Sequence, residues 1–217
     1  MLAGSAVQAR AHEVITTKLT WAREVSRIFY RRCLGCHSAN GGAFPLTTYA
    51  ETRPWAQAIK EEVLERRMPP WSAVKGFGEF RNDGGLSQEE IQIVSDWVEG
   101  GAPRGDDSLL PQLPAPNSPR PVNPQTSGSL PVTGTLKLKQ DVTIAAIRPR
   151  KLRDGASVRL VAERPDGTLE PLIWIHNHAS HFTRDYYLRT PLRLPAGSRI
   201  RMNPGDAGSM SLLLLKH

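Results

Sequence analysis

Cysteine is scarce in this 217-residue chain: there are two, Cys33 and Cys36, three positions apart. Two thiols at that spacing build no disulfide framework. Long apolar runs are missing too. None approaches the roughly 20 residues of a membrane-spanning helix, so no transmembrane segment is expected. Ligand-type side chains are sparse in the first half, where Met68 is the one internal methionine and His12 and His37 are the histidines. The basic charge is accompanied by no motif of a nucleic-acid reader, and nucleic acid is not an expected partner.

What is present is 39% hydrophobic and 23% charged residues. That composition suits a soluble globular protein long enough for two small domains. Net charge is +7 and unevenly placed. Residues 12–106 carry 12 Lys/Arg against 13 Asp/Glu, whereas 107–217 carry 15 against 8. Residues 1–11, MLAGSAVQARA, finish with Ala9 and Ala11 in an A-x-A arrangement, which reads as a signal-peptide remnant. A plain alanine-rich start fits the same residues.

Residues 107–134 hold seven of the 18 prolines among Ser, Asn, Gln and Gly, and read as an extended linker. Before it the period is helical. Trp21, Val25, Phe29 and Leu34 lead into the cysteines. Trp55, Ile59, Val63 and Leu64 form a stripe expected to be buried, ended by Pro69-Pro70. A third helix begins at Ser87, with Glu90 as the far half of a capping box, and Gly100-Gly101 stop it. After the linker the pattern alternates, with strands expected near 135–147, 157–164, 170–176, 186–193, 197–203 and 209–216. The expected fold class is therefore two domains: an all-α domain over 12–106, then a small antiparallel β-sandwich over 135–217.

The residues that carry chemistry are Cys33-Leu34-Gly35-Cys36-His37. Two thiols one helical turn apart match the separation of the two haem vinyl groups. The residue after the second then lies beneath the porphyrin, where an imidazole binds iron. Structural zinc is a rival, but it wants four ligands, and His12 is the remaining histidine before the linker. A thioredoxin-type pair wants a strand–turn–helix setting, and here a helix precedes the motif. Chance occurrence is the third rival. Six-coordinate iron needs a second ligand, for which Met68, followed by Pro69-Pro70-Trp71, is the candidate. A core-filling methionine is the alternative.

Residues 21–106 resemble the single-haem cytochrome c family, with Phe29 four residues before the first cysteine and an aromatic, Trp97, in the final helix. The run GGAFPLTTYAETRPWAQAIKEEVLERRMPPW is similar to a bacterial subgroup of exported cytochrome c modules. The resemblance implies one covalent haem c on Cys33 and Cys36, with His37 and Met68 as axial ligands. It implies that Phe29 and Trp97 mark the crossing of the first and last helices, and that the Pro45 carbonyl orients His37. The stretch IRPRKLRDGASVRLVAERPDGTLEPLIWI resembles the C-terminal sandwich of copper type II, ascorbate-dependent monooxygenases. There the family's His-x-His positions are Arg150 and Leu152, and Met210 falls near its copper methionine.

The expectation is a periplasmic or otherwise exported one-electron carrier. Arg148, Arg150, Lys151 and Arg153 would attract an acidic redox partner. Two other classes stay open. One is an oxidoreductase with copper on His176, His178 and His181, of which 176 and 178 would share a strand face. The other is a gas sensor in which a small ligand displaces Met68.

Overall fold

The computed structural model describes residues 18–115 and 122–216, so the signal-like start and His12 lie outside the described residues. Two compact units are formed. One takes the chain up to Glu65 together with Gln88–Pro114; the other takes Arg66–Ser87 and the chain from Ala115 on. No described helix is long and apolar enough to cross a membrane.

The first unit is built from short helices. A π-helical turn, Trp21–Val25, is capped by the Thr20 hydroxyl, which accepts from the Arg23 N–H, and runs into α1, Ser26–Arg32. A capping box of Thr48 and Glu51 starts α2, Tyr49–Thr52, and α3 follows at Ala56–Leu64. The last helix, α4, is Gln88–Glu99. Trp21, Phe29 and Trp97 are the large buried side chains at the centre. Trp21 joins the other two, its ring 5.2 Å from Phe29 edge-on and 6.2 Å from Trp97. Phe29 and Trp97, expected to mark the crossing of the first and last helices, thus both pack on Trp21, and Trp97 is further held by its Nε1–H donating to the Pro103 carbonyl.

The second unit is two four-stranded antiparallel sheets. Its strands are β1 Thr126–Val132, β2 Thr135–Lys137, β3 Val142–Pro149, β4 Val158–Glu163, β5 Leu169–Ile175, β6 Tyr186–Leu194, β7 Arg199–Asn203 and β8 Met210–Leu215. One sheet has the order β1-β8-β3-β6 and the other β2-β7-β4-β5. Strands β4 and β7 alternate buried and exposed, the period of a sheet with one covered face. Ile144, Ile147, Leu160, Ile173, Ile200 and Met210 are among the side chains in the core.

The fold class that the sequence predicts, an all-α cytochrome c-like domain over 12–106 followed by a sandwich, is overturned. The chain is mostly β, the α-helices among the described residues have only seven, four, nine and twelve residues, and residues 66–87 group with the sheets. The cause lies in that segment's composition. Pro69, Pro70, Gly76, Gly78, Gly84 and Gly85 stop a helix, and Trp71, Phe77 and Phe80 need a surface to cover. They find it on the edge strands. Ala73 bridges Ile175 at the end of β5, and Phe80 bridges Leu188 of β6, so the segment closes one edge of each sheet. Trp71 packs edge-on against Tyr186 at 4.9 Å and Phe80 at 6.0 Å. A side chain at Gly78, where φ is +83°, would meet the Leu172 carbonyl at 2.4 Å.

Two smaller departures share a cause. The stretch 135–147 holds two strands in different sheets, and β1 lies inside the expected linker. As an edge strand β1 tolerates Pro131, which a central strand would not.

Candidate functional site

Helix α1 ends at Arg32, and the Cys33-to-His37 pentapeptide continues as a turn from its C-terminus. The Cys33 and Leu34 amides donate to the Phe29 carbonyl at 2.8 and 3.1 Å, and those of Cys36 and His37 to the Cys33 carbonyl at 3.1 and 2.9 Å. The chain then folds back. Ala43 donates to the Cys36 carbonyl at 3.1 Å and Leu46 to the His37 carbonyl at 3.0 Å. At Gly41 a Cβ would lie 2.0 Å from the Cys36 carbonyl oxygen, so the loop closes only on glycine.

Neither cysteine is in a disulfide; Cys33 is half-buried and Cys36 exposed. Burial, with the negative charge of Glu90 adding to it and Arg32 opposing it, pushes the Cys33 thiol up to about 12. Redox and nucleophilic cysteines depend on the opposite, a depressed value that supplies thiolate. The thioredoxin-type reading of Cys33 and Cys36 therefore lacks its electrostatic requirement.

His37 Nδ1 lies 2.8 Å from the carbonyl oxygen of Phe44. A carbonyl only accepts, so Nδ1 carries the proton and Nε2 the lone pair. Resemblance assigned this role to Pro45; the carbonyl that performs it belongs to the residue before. The Phe44 ring stands 4.9 Å from the His37 ring, edge-on, and 4.9 Å from Trp55. Phe44 and Trp55 are 47% and 48% exposed, and Leu64 is exposed as well. The stripe expected to be buried along α3 is thus largely uncovered; only Val63 and Ala56 of that helix are buried. Exposed apolar side chains thus stand beside the His37 ring.

Met68 is half-buried and belongs to the segment grouped with the sheets. Phe29 and Trp97 are fully buried members of the helical core.

His176, His178 and His181 have separate surroundings in the second unit. Strand β5 stops at Ile175, and Asn177 turns the chain with φ at 48°, so 176 and 178 do not share a strand face. His176 is exposed, its Nδ1 3.2 Å from the Ser157 hydroxyl. His178 is buried, and burial lowers its pKa. The His181 ring lies 4.2 Å from that of Phe182, tilted by 46°. Among the described residues no three His, Cys, Asp or Glu side chains come together to hold a metal. Met210 is a core residue, Leu152 is buried, and Arg150 donates to the Ser211 hydroxyl at 3.2 Å. Arg148 is engaged by the Asp185 carboxylate, which raises its pKa, so of the four basic residues expected to face a partner Arg148 and Arg150 are tied within the sandwich.

Sequence reasoning missed two residues here. Phe44 acts through a backbone carbonyl, which carries no sequence signature. Glu90 read as a helix cap, yet it bonds to both arginines before Cys33. Comparison of the chain with protein-family models, curated proteins and solved structures finds no match.

Proposed function

We propose that the chain is a c-type cytochrome, a one-electron carrier with haem attached covalently through Cys33 and Cys36. The observation that carries this reading is the C-x-x-C-H turn at the end of α1 with the His37 Nδ1–H committed to a carbonyl. That bond fixes the tautomer and aims the basic Nε2 outward, as in other metal-binding histidines. When bound, the haem supplies a single iron centre that cycles between two oxidation states without making or breaking bonds to a substrate.

The residues of this chain fit the group. Cys33 and Cys36 are both free thiols, His37 offers its lone pair, and Phe44, Trp55 and Leu64 present apolar surface. Met68 is the proposed second ligand, on the strength of the sequence; a thioether there would raise the potential relative to a second imidazole. Export belongs to the proposal, because attachment of this kind takes place outside the bacterial cytoplasm. Lys151 and Arg153, both exposed, would favour an acidic redox partner.

The test is protein made with haem-attachment machinery. After denaturation and acid-acetone extraction its mass should exceed that of the chain by one haem. Cys33→Ala with Cys36→Ala should abolish the excess. A fully extractable haem in the parent refutes the reading.

A further inference from the structure

Arg31 and Arg32 immediately precede Cys33, and both reach one oxygen of a distant carboxylate. Arg31 Nη2 lies 2.5 Å and Arg32 Nε 3.1 Å from Glu90 Oε1, across 59 and 58 residues of sequence. Glu90 stands in the first turn of α4 and is 6% exposed. Of the two arginine side chains, that of Arg31 is 62% exposed and that of Arg32 only 19%. The buried member of the cluster is therefore the anion. A buried charge is screened far less by solvent and salt than an exposed one, and its field extends further into the protein. Arg32, held at 3.1 Å by this carboxylate, is the residue before Cys33, so the cluster lies beside the attachment point; burial and then the Glu90 charge shift the Cys33 thiol upward.

Resting on the haem reading above, we propose that Glu90 is a positioning residue of electrostatic kind: its buried charge sets the field at the Cys33 attachment point and favours the oxidised iron. Reduction places one electron, delivered by the donor, on the iron and lowers the positive charge of the centre by one. A fixed carboxylate nearby opposes that gain, so its removal raises the potential. Two cations at bonding distance keep the carboxylate ionised. The same contacts tie α1, which delivers Cys33, to α4.

Two variants of the full chain separate charge from packing. Glu90→Gln keeps size and loses charge; Glu90→Asp keeps charge and shortens the side chain. Each is made with haem-attachment machinery, checked for haem by mass, and titrated with dithionite under mediators. A second readout needs no haem: in haem-free Cys36→Ala protein, the pH dependence of Cys33 alkylation by iodoacetamide. Glu90→Gln should shift the potential upward and lower the pH at which Cys33 reacts. Glu90→Asp should leave both near the parent. Should Glu90→Gln not fold, Arg31→Gln removes an exposed cation from the same carboxylate and should move both readouts the other way. The proposal is overturned if Glu90→Asp shifts them as much as Glu90→Gln, or if any shift has the opposite sign. A parent without covalent haem refutes the reading beneath, while the alkylation result still decides whether Glu90 acts on Cys33 through its charge.

Discussion

Replacing Trp71 by alanine tests whether residues 66–87 are an integral part of the sandwich. Trp71 is 8% exposed, and its ring contacts Tyr186 and Phe80 and lies near the Arg184 guanidinium, 5.8 Å from the ring centre. An indole buries about 200 Å². At about 25 cal/mol per Å² that area is worth about 5 kcal/mol. Partial collapse of the neighbours into the space returns some of this, which agrees with the typical cost of about 3–5 kcal/mol for a buried Trp→Ala change. We therefore expect Trp71→Ala to lose about 4 kcal/mol and to lower the melting temperature by about 10 °C or more. The assay is urea unfolding followed by circular dichroism in the strand region. Trp55→Ala, at an exposed ring, is the control and should stay within about 1 kcal/mol in haem-free protein. A Trp71→Ala protein within that same margin, at unchanged urea dependence, would refute the placement of 66–87 in the sandwich core.

Met68→Ala holoprotein should lose the weak long-wavelength absorption band of a sulfur-to-iron bond, bind carbon monoxide readily and have a lower potential. Persistence of the band in that variant assigns the ligand to another residue. His178 supplies a pH signature of the sandwich. Burial depresses its folded pKa below the ordinary value of about 6.5. The unfolded chain therefore takes the proton first as pH falls, so the histidine's contribution is intact above about 6.5 and is lost below it, until the folded form also protonates. Urea midpoints measured from pH 8 to pH 5 should decline over that window, and His178→Gln should flatten the decline. An equal slope in the variant means that another group titrates there.

Local pattern was enough to find many of the elements and to single out Cys33, Cys36 and His37 as the candidate site. The spacing of Cys33, Cys36 and His37 is a matter of one turn of chain, and alternation located β4, β6, β7 and β8 because sheet geometry repeats every two residues. The Pro165-Asp166-Gly167 turn between β4 and β5 was legible for the same reason, since the Thr168 amide is satisfied by the Asp166 carboxylate two residues away. Helix α3 was legible as a helix, but the fate of its apolar stripe was not, because periodicity gives a face and says nothing of what covers it. The fold class required contacts between residues about a hundred positions apart. Trp71 and Phe80 sit on Tyr186, and the Asn82 side chain donates to the Asp185 carbonyl and accepts from the Tyr187 amide. Nothing in 66–87 read alone distinguishes a loop on helices from a segment closing two sheet edges. The same holds at the candidate site. The sequence determined the spacing of Cys33, Cys36 and His37 on which the proposed haem attachment rests. Only the tertiary structure decided that the Phe44 carbonyl orients His37 and that Glu90 pairs with the two arginines before Cys33, because backbone acceptors and long-range charges are fixed by packing and leave no periodic trace in the chain.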